Sequence, residues 1–351
     1  MNPLSPARAG ISMAASWSWG ASLGVGIAVL HTAGWQAFLI WSVMNILAIP
    51  FFGYLYTRLD SYKHIIELRP MIAFMFLLQG FALLINQQLL FEGLAGGVDI
   101  DIMPVVSESV AIAAGIIVAI GLIIFINKTL LMGSLKTDLG QYTLQVIGVV
   151  LLIAVSIQQG DTTINAQIGA STVSDIQWAI WVGLGLLAGP SMDAMQFQRI
   201  EQVTPTERFK ATLYGGVFFG MYLSLVGVAG LFISSNSLLV SLAFLIVVLS
   251  ITTSTIDSAS AAMHRLAPKK VATGVALAIA VSWPLLIEIG VTGIFTIYSS
   301  GRVFVVSGVL VFLYALHLTG RHITNYTGGE DPGNSDKATQ AVGTDVWGAD
   351  D

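Results

Sequence analysis

The sequence predicts an all-α, polytopic membrane protein with ten transmembrane helices. Of its 351 residues, 55% are hydrophobic and only 10% are charged, and the mean hydropathy is +0.80. Soluble domains carry roughly 25% charged residues, so this chain cannot cover a water-exposed surface. The composition excludes an ordinary soluble enzyme, a nucleic-acid-binding protein and a disordered scaffold. The apolar runs are long and continuous rather than alternating, which disfavours a transmembrane β-barrel.

Ten segments have the length of about 20 mostly apolar residues that a membrane helix needs. They lie at roughly 8–31, 35–57, 70–91, 107–126, 138–158, 175–198, 207–234, 236–263, 268–289 and 292–318. We expect residues 1–160 and 161–323 to form two five-helix repeats. An odd number of spans in each half places the halves in opposite orientations, so the repeats are predicted to be inverted. The acidic, Gly-rich stretch 324–351 predicts a disordered cytoplasmic tail.

The positions of the basic residues predict the orientation in the membrane. If the N-terminus is inside, every one of the 15 Lys and Arg residues except Arg302 falls on the cytoplasmic side of the ten spans. The opposite loops carry acidic residues instead, namely Glu92, Asp99, Asp101, Asp161 and Asp175. This distribution predicts a plasma-membrane protein with both termini in the cytoplasm.

Polar or helix-breaking residues interrupt the first and sixth spans. The first contains the run Ser16-Trp17-Ser18-Trp19-Gly20, and the sixth contains Pro190 within 188–193. Proline removes an amide donor and kinks or breaks a helix. Interrupted helices in corresponding positions of two inverted repeats are typical of a transporter binding site. The alternative is that these are helix-packing positions and an ordinary kink.

Among the ten spans, the eighth has the densest run of polar residues. This run lies at 250–258 and includes Ser254, Thr255 and Asp257. Hydroxyl groups in a membrane helix often bond back to the preceding turn, and that reading stays open. Hydroxyls are also neutral oxygen ligands that suit a small alkali cation, while an intramembrane carboxylate such as Asp257 marks a functional position.

Four stretches resemble a known family in order, spacing and topology. They are Ser16 to Gly20 with Ala14 before it, Gly133-Ser134-Leu135 through Gln145, Asp193 to Arg199, and Ser254 to Ser258. Together they resemble the sodium:solute symporter family, within the group with the LeuT-like inverted five-helix-repeat fold. The first stretch is similar to the form found in the urea and polyamine branch.

This resemblance implies a sodium site between the first and eighth helices. Its ligands would be the backbone carbonyls of Ala14, Trp17 and Ile251 and the hydroxyls of Ser254 and Thr255. The resemblance places the substrate beside that ion. The implied substrate residues are Ser18, Trp19, Ser191, Met192 and Asp193.

Arg302 lies near the middle of the last span. An unpaired guanidinium is unfavourable there, so it needs an acidic partner or a wet position. Asp257, Asp193 and Glu288 are the intramembrane candidates. A structural ion pair, a role in binding a substrate carboxylate and a wet cytoplasmic position are the three alternatives.

These observations predict a sodium-coupled symporter of a small polar solute that works by alternating access, and a urea-like compound or an amine is the favoured solute. The implied coupling ion is sodium, and the other partners are the solute and the lipid bilayer. The alternatives are a symporter of a small carboxylate, a sodium-independent channel-like facilitator and a non-transporting scaffold or sensor. The short link near Ser234-Ser235-Asn236 favours the facilitator because it leaves little chain for an outer gate. No catalytic constellation is evident, so an enzyme is not expected.

Overall fold

The computed structural model describes residues 3–59, 62, 66–96, 103–159, 168–233 and 237–318, and none of these residues forms a strand. Among them, seven helices are long and apolar enough to cross a membrane, or eight if one sharply bent pair counts as a single span. The chain is therefore a polytopic all-α membrane protein, as predicted.

The helices of the first half begin near the N-terminus. They are α1 (Pro6–Trp17), a π-helical turn (Ala21–Val25), α2 (Gly26–Thr32), α3 (Gly34–Arg58), α4 (Arg69–Ala95) and α5 (Glu108–Gln158). The Ser5 side chain caps α1 by accepting a hydrogen bond from the Arg8 amide. Capping by Ser satisfies one of the four free amides at a helix start.

The helices of the second half include three short 3₁₀ segments. The elements are α6 (Val173–Ala188), a 3₁₀ turn (Gly189–Met192), α7 (Ala194–Ile200), a 3₁₀ turn (Pro205–Glu207), α8 (Arg208–Phe232), α9 (Leu238–Leu266), α10 (Lys269–Ser282), a 3₁₀ segment (Trp283–Ile289) and α11 (Gly290–Leu318). A capping box begins α6, in which Thr172 and Asp175 satisfy each other's backbone amides.

Each of the ten predicted segments overlaps a helical element, with one difference in connection. We expected a loop between the fourth and fifth spans, but the backbone is helical through α5, which includes both. The connecting residues 127–137 contain no proline, so nothing in the backbone forces the helix to end there.

Both predicted interruptions are present. The helix of the first span breaks after Trp17, and its two parts are bent by 72°. In the sixth span, α6 ends at Ala188, and Asp193 adopts an extended conformation before α7 begins. Helices 1 and 6 are therefore interrupted at the residues that the sequence indicated.

The helices around these breaks form the interior of the unit Met1–Val303. Within it, α9 packs against α4 and α5, α1 packs against α8, and α3 packs against α6 and α8. α1 also contacts α5, α7 and α9. The interrupted helices are thus enclosed by other helices, where non-helical backbone is tolerated at membrane depth.

The second unit is Phe304–Asp351, and the structure describes it to Leu318 as the last part of α11. The predicted tail 324–351, the link at 234–236 and the loop residues Asp99, Asp101 and Asp161 lie outside the described residues. The division into repeats at residue 160 stays a prediction.

Two charged residues occupy places other than the predicted loops. Glu92 is fully buried in α4, where it accepts hydrogen bonds from Gln88 Nε2 and the Val291 amide, both at 2.9 Å. Arg199 is fully buried in α7. The assignment of Glu92 to a loop was wrong, and the cytoplasmic placement of Arg199 stays a prediction; in both cases the charge is satisfied inside the protein, which a hydropathy pattern does not reveal.

Candidate functional site

The break in the first span is closed by local and tertiary hydrogen bonds. The Trp19 amide donates to the Trp17 carbonyl at 2.8 Å, and the Ser22 amide donates to the Trp19 carbonyl at 2.7 Å. The Gly20 amide donates to Asn86 Oδ1 of α4 at 2.9 Å. A buried amide needs an acceptor, so Asn86 stabilises this interruption.

The break in the sixth span is held in a similar way. Asp193 caps α7, and its Oδ1 accepts from the Met195 amide at 2.9 Å and from Gln79 Nε2 at 3.1 Å. The hydroxyl of Tyr62 donates to the Ser191 carbonyl. The other carboxylate oxygen, Asp193 Oδ2, is buried and accepts no hydrogen bond among the described residues.

Helix α4 joins the two breaks. Gln79 contacts the sixth-span break and Asn86 contacts the first-span break, and both side chains are fully buried. Positions seven residues apart lie on the same face of an α-helix, two turns from each other. One face of α4 therefore braces both interruptions.

The hydroxyl pair of α9 lies beside the end of α1. Ser254 Oγ lies 3.5 Å from the Ala15 carbonyl oxygen, to which it donates a long hydrogen bond. The neighbouring Thr255 hydroxyl is buried and has no hydrogen-bond partner among the described residues. An unsatisfied buried hydroxyl is unfavourable. The oxygen of Thr255 is therefore available to bind a ligand.

The three predicted carbonyl ligands differ in their surroundings. The Ala14 carbonyl accepts from the Ser18 amide at 2.9 Å and from the Ser18 hydroxyl at 2.7 Å. The Trp17 carbonyl accepts from the Trp19 amide and, at 3.4 Å, from Ser22 Oγ. Ile251 is buried one turn before Ser254 and Thr255 on α9. The five predicted sodium residues therefore lie on α1 and α9, and Ser254 is the one that forms a hydrogen bond across to the other helix among the described residues.

A small cavity opens at the first-span break. The space between its wall atoms is about 230 Å³, of which about 10 Å³ is wide enough for the centre of a water molecule. Its lining residues are Trp17, Trp19, Ala21, Ser22, Asn45, Leu186, Phe295, Tyr298 and Arg302. A cavity of this size holds about one water molecule, so a larger solute requires the walls to move.

The structure brings only part of the predicted substrate set to this cavity. Trp19 and Arg302 line it. Ser18 is buried and bonded back to Ala14, and Ser191 is bonded back to the Ala188 carbonyl at 2.5 Å. Met192 and Asp193 are buried at the sixth-span break and are not among the lining residues.

Arg302 does not form the structural ion pair that was one expectation. Its three guanidinium nitrogens are buried and have no hydrogen-bond partner among the described residues. Asp257 is engaged elsewhere, since its Oδ2 accepts from Thr137 and Gln141 at 3.1 and 3.2 Å. Glu288 is exposed, and Asp193 interacts with Arg302 only electrostatically.

The guanidinium is surrounded by aromatic rings instead. Its central carbon lies 3.9 Å from the ring centroid of Tyr298 and 5.3 Å from those of Trp17 and Trp19. We call these three rings the aromatic cage. Cation–π attraction of this kind stabilises a desolvated cation in part.

A second buried polar cluster lies where α1, α5, α7 and α9 meet. Arg199 Nη2 donates to Asp138 Oδ2 at 3.0 Å and to Ser258 Oγ at 2.8 Å. Its Nε donates to Ser12 Oγ at 2.9 Å, and Ser12 also donates to Asp138. Ser258 continues the cluster by donating to Asp257 Oδ1 at 3.0 Å.

The sequence interpretation missed the contributions of α3, of α4 and of the N-terminal part of α11. Asn45, Gln79, Asn86 and Tyr298 have no motif around them. A usable signal existed for α4, because Gln79 and Asn86 are polar residues of an apolar helix at a spacing of two turns. Asn45 and Tyr298 were found only from their positions in space.

Comparison of the sequence with models of protein families and with curated proteins gives no match. Among solved structures, the fold is similar to that of a Na⁺-coupled sialic acid symporter in a substrate-bound, outward-open state. The TM-score is 0.51 and the sequence identity is 16%, over 88% of this chain and 76% of that chain. The likeness gives no support to the urea and polyamine branch. At this identity it shows the fold alone, and the fold it shows is the LeuT-like one that the sequence motifs indicated.

Proposed function

We propose that the protein is a sodium-coupled secondary transporter that carries a small polar solute by alternating access. The observation that carries this proposal is the hydroxyl of Thr255, which is buried and has no hydrogen-bond partner among the described residues. The neighbouring Ser254 forms a hydrogen bond with the Ala15 carbonyl near the broken end of α1. Two interrupted helices meeting in the interior are the usual construction of a transporter binding site. The fold similarity to a sodium-coupled symporter supports the same proposal.

Sodium is one of the two transported substrates in this proposal. The hydroxyls of Ser254 and Thr255 and the carbonyls of Ala14, Trp17 and Ile251 supply five neutral oxygens. The Ala14 carbonyl already accepts two hydrogen bonds from Ser18, so Ser18 must release one of them when the ion binds. The carbonyl end of an interrupted helix carries a partial negative charge that favours a cation.

The bound ion would act as a link between α1 and α9. Without it, the only contact that the described hydroxyls make across this junction is the long hydrogen bond from Ser254 to Ala15. An ion that coordinates both helices would hold them together until the solute is loaded. Inward movement of one charge supplies about 2.3 kcal/mol per 100 mV of membrane potential.

The distribution of basic residues supports a plasma-membrane location with both termini in the cytoplasm. In that orientation, sodium moves inward with its gradient and drives uptake. Two inverted repeats, 1–160 and 161–323, would provide the moving parts. We propose transport rather than catalysis, since the buried polar groups of the described residues lie around the two helix breaks, as in a transporter binding site.

A channel-like facilitator and a non-transporting scaffold remain as second candidates. The facilitator was suggested by the short link at 234–236, and the scaffold by the tail at 324–351, both outside the described residues. The small volume of the cavity at the first break favours a binding step over an open path.

Uptake into proteoliposomes tests the proposal directly. The purified protein is reconstituted, and a panel of labelled amides, amines and carboxylic acids is offered with and without an inward sodium gradient. We expect uptake of at least one solute to require sodium. Thr255→Ala and Ser254→Ala should weaken that dependence, whereas Thr253→Ala should not, because Thr253 bonds back to the carbonyls of Leu249 and Ser250. Uptake that ignores sodium, with both α9 variants silent, would refute the proposal.

A further inference from the structure

The cavity at the first-span break contains the guanidinium of Arg302, which forms no hydrogen bond with any of the described residues. Arg302 is fully buried, and its Nε, Nη1 and Nη2 atoms have no hydrogen-bond partner among the described residues. A buried charge is strongly unfavourable unless it is paired and hydrogen-bonded. Because the residue also lines a cavity, its missing partner can be a ligand.

The aromatic cage holds the guanidinium without using its donors. Tyr298, Trp17 and Trp19 approach the cation with their rings. Ring faces attract a cation, but they do not replace the acceptors that its five N–H groups require. The cage therefore fixes the position of Arg302 and leaves its hydrogen-bonding capacity for an oxygen-bearing partner.

The other polar groups on the cavity wall are also able to donate. Asn45 accepts from Trp17 Nε1 at 2.8 Å through its Oδ1, and no hydrogen bond from its Nδ2 occurs among the described residues. The Tyr298 hydroxyl is buried without a partner. No acidic side chain is among the described lining residues, and Leu186, Phe295 and Ala21 complete the wall with apolar surface.

The free donors of Arg302 and the apolar wall residues together favour a ligand with a carboxylate group and an apolar remainder. A carboxylate only accepts hydrogen bonds, and its two oxygens match the planar fork of a guanidinium. A neutral amide offers the guanidinium only one acceptor oxygen, and a protonated amine would bring a second positive charge beside Arg302. The apolar remainder of the wall suits a short carbon chain or a ring.

Arg302 also contacts both interrupted helices. Trp17 and Trp19 belong to the first-span break. A Cβ atom added to Gly189, at the sixth-span break, would lie 2.3 Å from Arg302 Nη1 and 2.4 Å from Trp17 Cη2. An anion that shifts the guanidinium on binding would therefore change the packing at both breaks.

Trp17 connects this position to the proposed sodium site. Its ring is part of the aromatic cage, and its backbone carbonyl is one of the proposed sodium ligands. Asp193 already interacts electrostatically with Arg302, so a bound carboxylate adds a further negative charge to this interior region. A sodium ion bound at the α1–α9 contact would compensate that charge, which gives a physical reason for the two to bind together.

We propose that the transported solute is a small monocarboxylate whose carboxylate group binds Arg302 within the aromatic cage. This inference rests on the proposed transport function and names its substrate class. It replaces the urea-like or amine solute that the sequence favoured.

Matched acid and amide pairs test the proposal on the unmodified protein. The full chain is purified in detergent, and its thermal unfolding midpoint is measured with propionate, lactate and benzoate and with propionamide, lactamide and benzamide. Chloride is held constant, with sodium or N-methylglucamine as the cation. We expect at least one acid to raise the midpoint while its amide does not, with a larger shift in sodium. Amides that act like their acids, or a panel of acids without effect, would overturn the proposal.

Variants of Arg302 test whether this residue binds the acid that raises the unfolding midpoint. Arg302→Gln should abolish the acid-dependent shift, and Arg302→Lys should weaken acid binding by about tenfold or more, because lysine lacks the bidentate fork. Arg69→Gln is the matched control, since Arg69 is an exposed arginine at the start of α4. Retention of the shift in Arg302→Gln would overturn the proposal. If that variant does not fold, the acid and amide comparison on the unmodified protein decides.

Failure of this inference is distinguishable from failure of the proposed function. Acid binding that depends on Arg302 but ignores sodium would refute sodium coupling and leave the substrate class intact. Sodium-dependent uptake of an amide, unaffected by acids, would refute the substrate class and leave the coupling intact.

Discussion

Arg199 Nη2 lies 3.0 Å from Asp138 Oδ2, and the two side chains are 0% and 1% exposed to solvent. The pair joins α7, directly after the sixth-span break, to α5. Since Ser12 of α1 bonds to both partners, the same interaction also holds the beginning of the first span. One buried ion pair therefore ties the N-terminal part of the first span and the helix after the sixth-span break to the uninterrupted α5.

Asp138→Asn should strongly destabilise the protein. Removing one partner of a buried pair leaves the other charge uncompensated, which costs about 3–5 kcal/mol. The free energy of unfolding in mixed detergent micelles measures the loss. The matched control is Arg265→Gln, because Arg265 pairs with Glu201 at 2.6 Å while the side chains are 24% and 33% exposed. There we expect less than about 1 kcal/mol, and equal losses in the two variants would contradict the prediction.

Thr255→Val should weaken sodium activation of transport while preserving side-chain shape. Losing one neutral oxygen from a cation site costs about 1.5–3 kcal/mol, or roughly 10- to 100-fold in affinity. The sodium concentration for half-maximal uptake measures it. Thr255→Ser keeps the hydroxyl and should remain close to the unmodified protein. Thr253→Val, at a half-buried position of the same helix, should have no effect. If Thr253→Val raised the sodium concentration for half-maximal uptake by the same factor, the effect of Thr255→Val would come from packing rather than from loss of a sodium ligand.

Gly189→Ala should impair transport because the new methyl group meets Trp17 and the Arg302 guanidinium at less than van der Waals distance. Arginine can move its terminal nitrogens, but the Trp17 ring is held by its bond to Asn45. We expect at least a roughly tenfold lower uptake rate, equivalent to about 1.4 kcal/mol. An alanine at Gly274 meets nothing within 4 Å, so Gly274→Ala should transport normally. Unimpaired uptake by Gly189→Ala would show that the two breaks are not packed as described.

Asn86→Leu should destabilise the first-span break. The substitution keeps the branched shape of the side chain, although leucine is somewhat larger, and removes the acceptor of the Gly20 amide. A buried amide without an acceptor costs about 1–3 kcal/mol, which thermal unfolding of the purified protein measures. Ser224→Ala serves as control, because this exposed serine only bonds back to the Gly220 carbonyl of its own helix. A neutral Asn86→Leu variant would mean that the interruption is stable without α4.

The sequence predicted the helices well because the membrane imposes a simple rule. Backbone polar groups must be satisfied within each span, so a run of about 20 apolar residues becomes a helix almost regardless of its neighbours. The interruptions were equally local, since Pro190 and the polar run around Ser18 disrupt a helix by their own chemistry. The continuous α5 differed because its connecting residues, 127–137, carry charge but no proline, and the single Gly133 lowers helix propensity without removing a backbone hydrogen bond.

The buried charges could not be assigned in the same way. Arg199 and Arg302 look alike as isolated cations near or within spans, yet Arg199 pairs with Asp138 and Arg302 faces three aromatic rings. Nothing in the order of residues distinguishes Asp138, Asp193 and Asp257 as partners, because each comes from a different helix. The same holds for Asn45 and Gln79, whose importance comes from the helices they meet.

The amino-acid sequence by itself thus determined the class of protein, the extent of most helices and the two places where helices break. These properties depend on solvent transfer and on backbone chemistry within one segment. Only the tertiary structure decided which polar atoms find partners and which do not, namely the satisfied Asp138 and the unsatisfied Thr255 and Arg302. The physical reason is that hydrogen bonds and ion pairs act over about 3 Å, between atoms that helix packing brings together from distant parts of the chain.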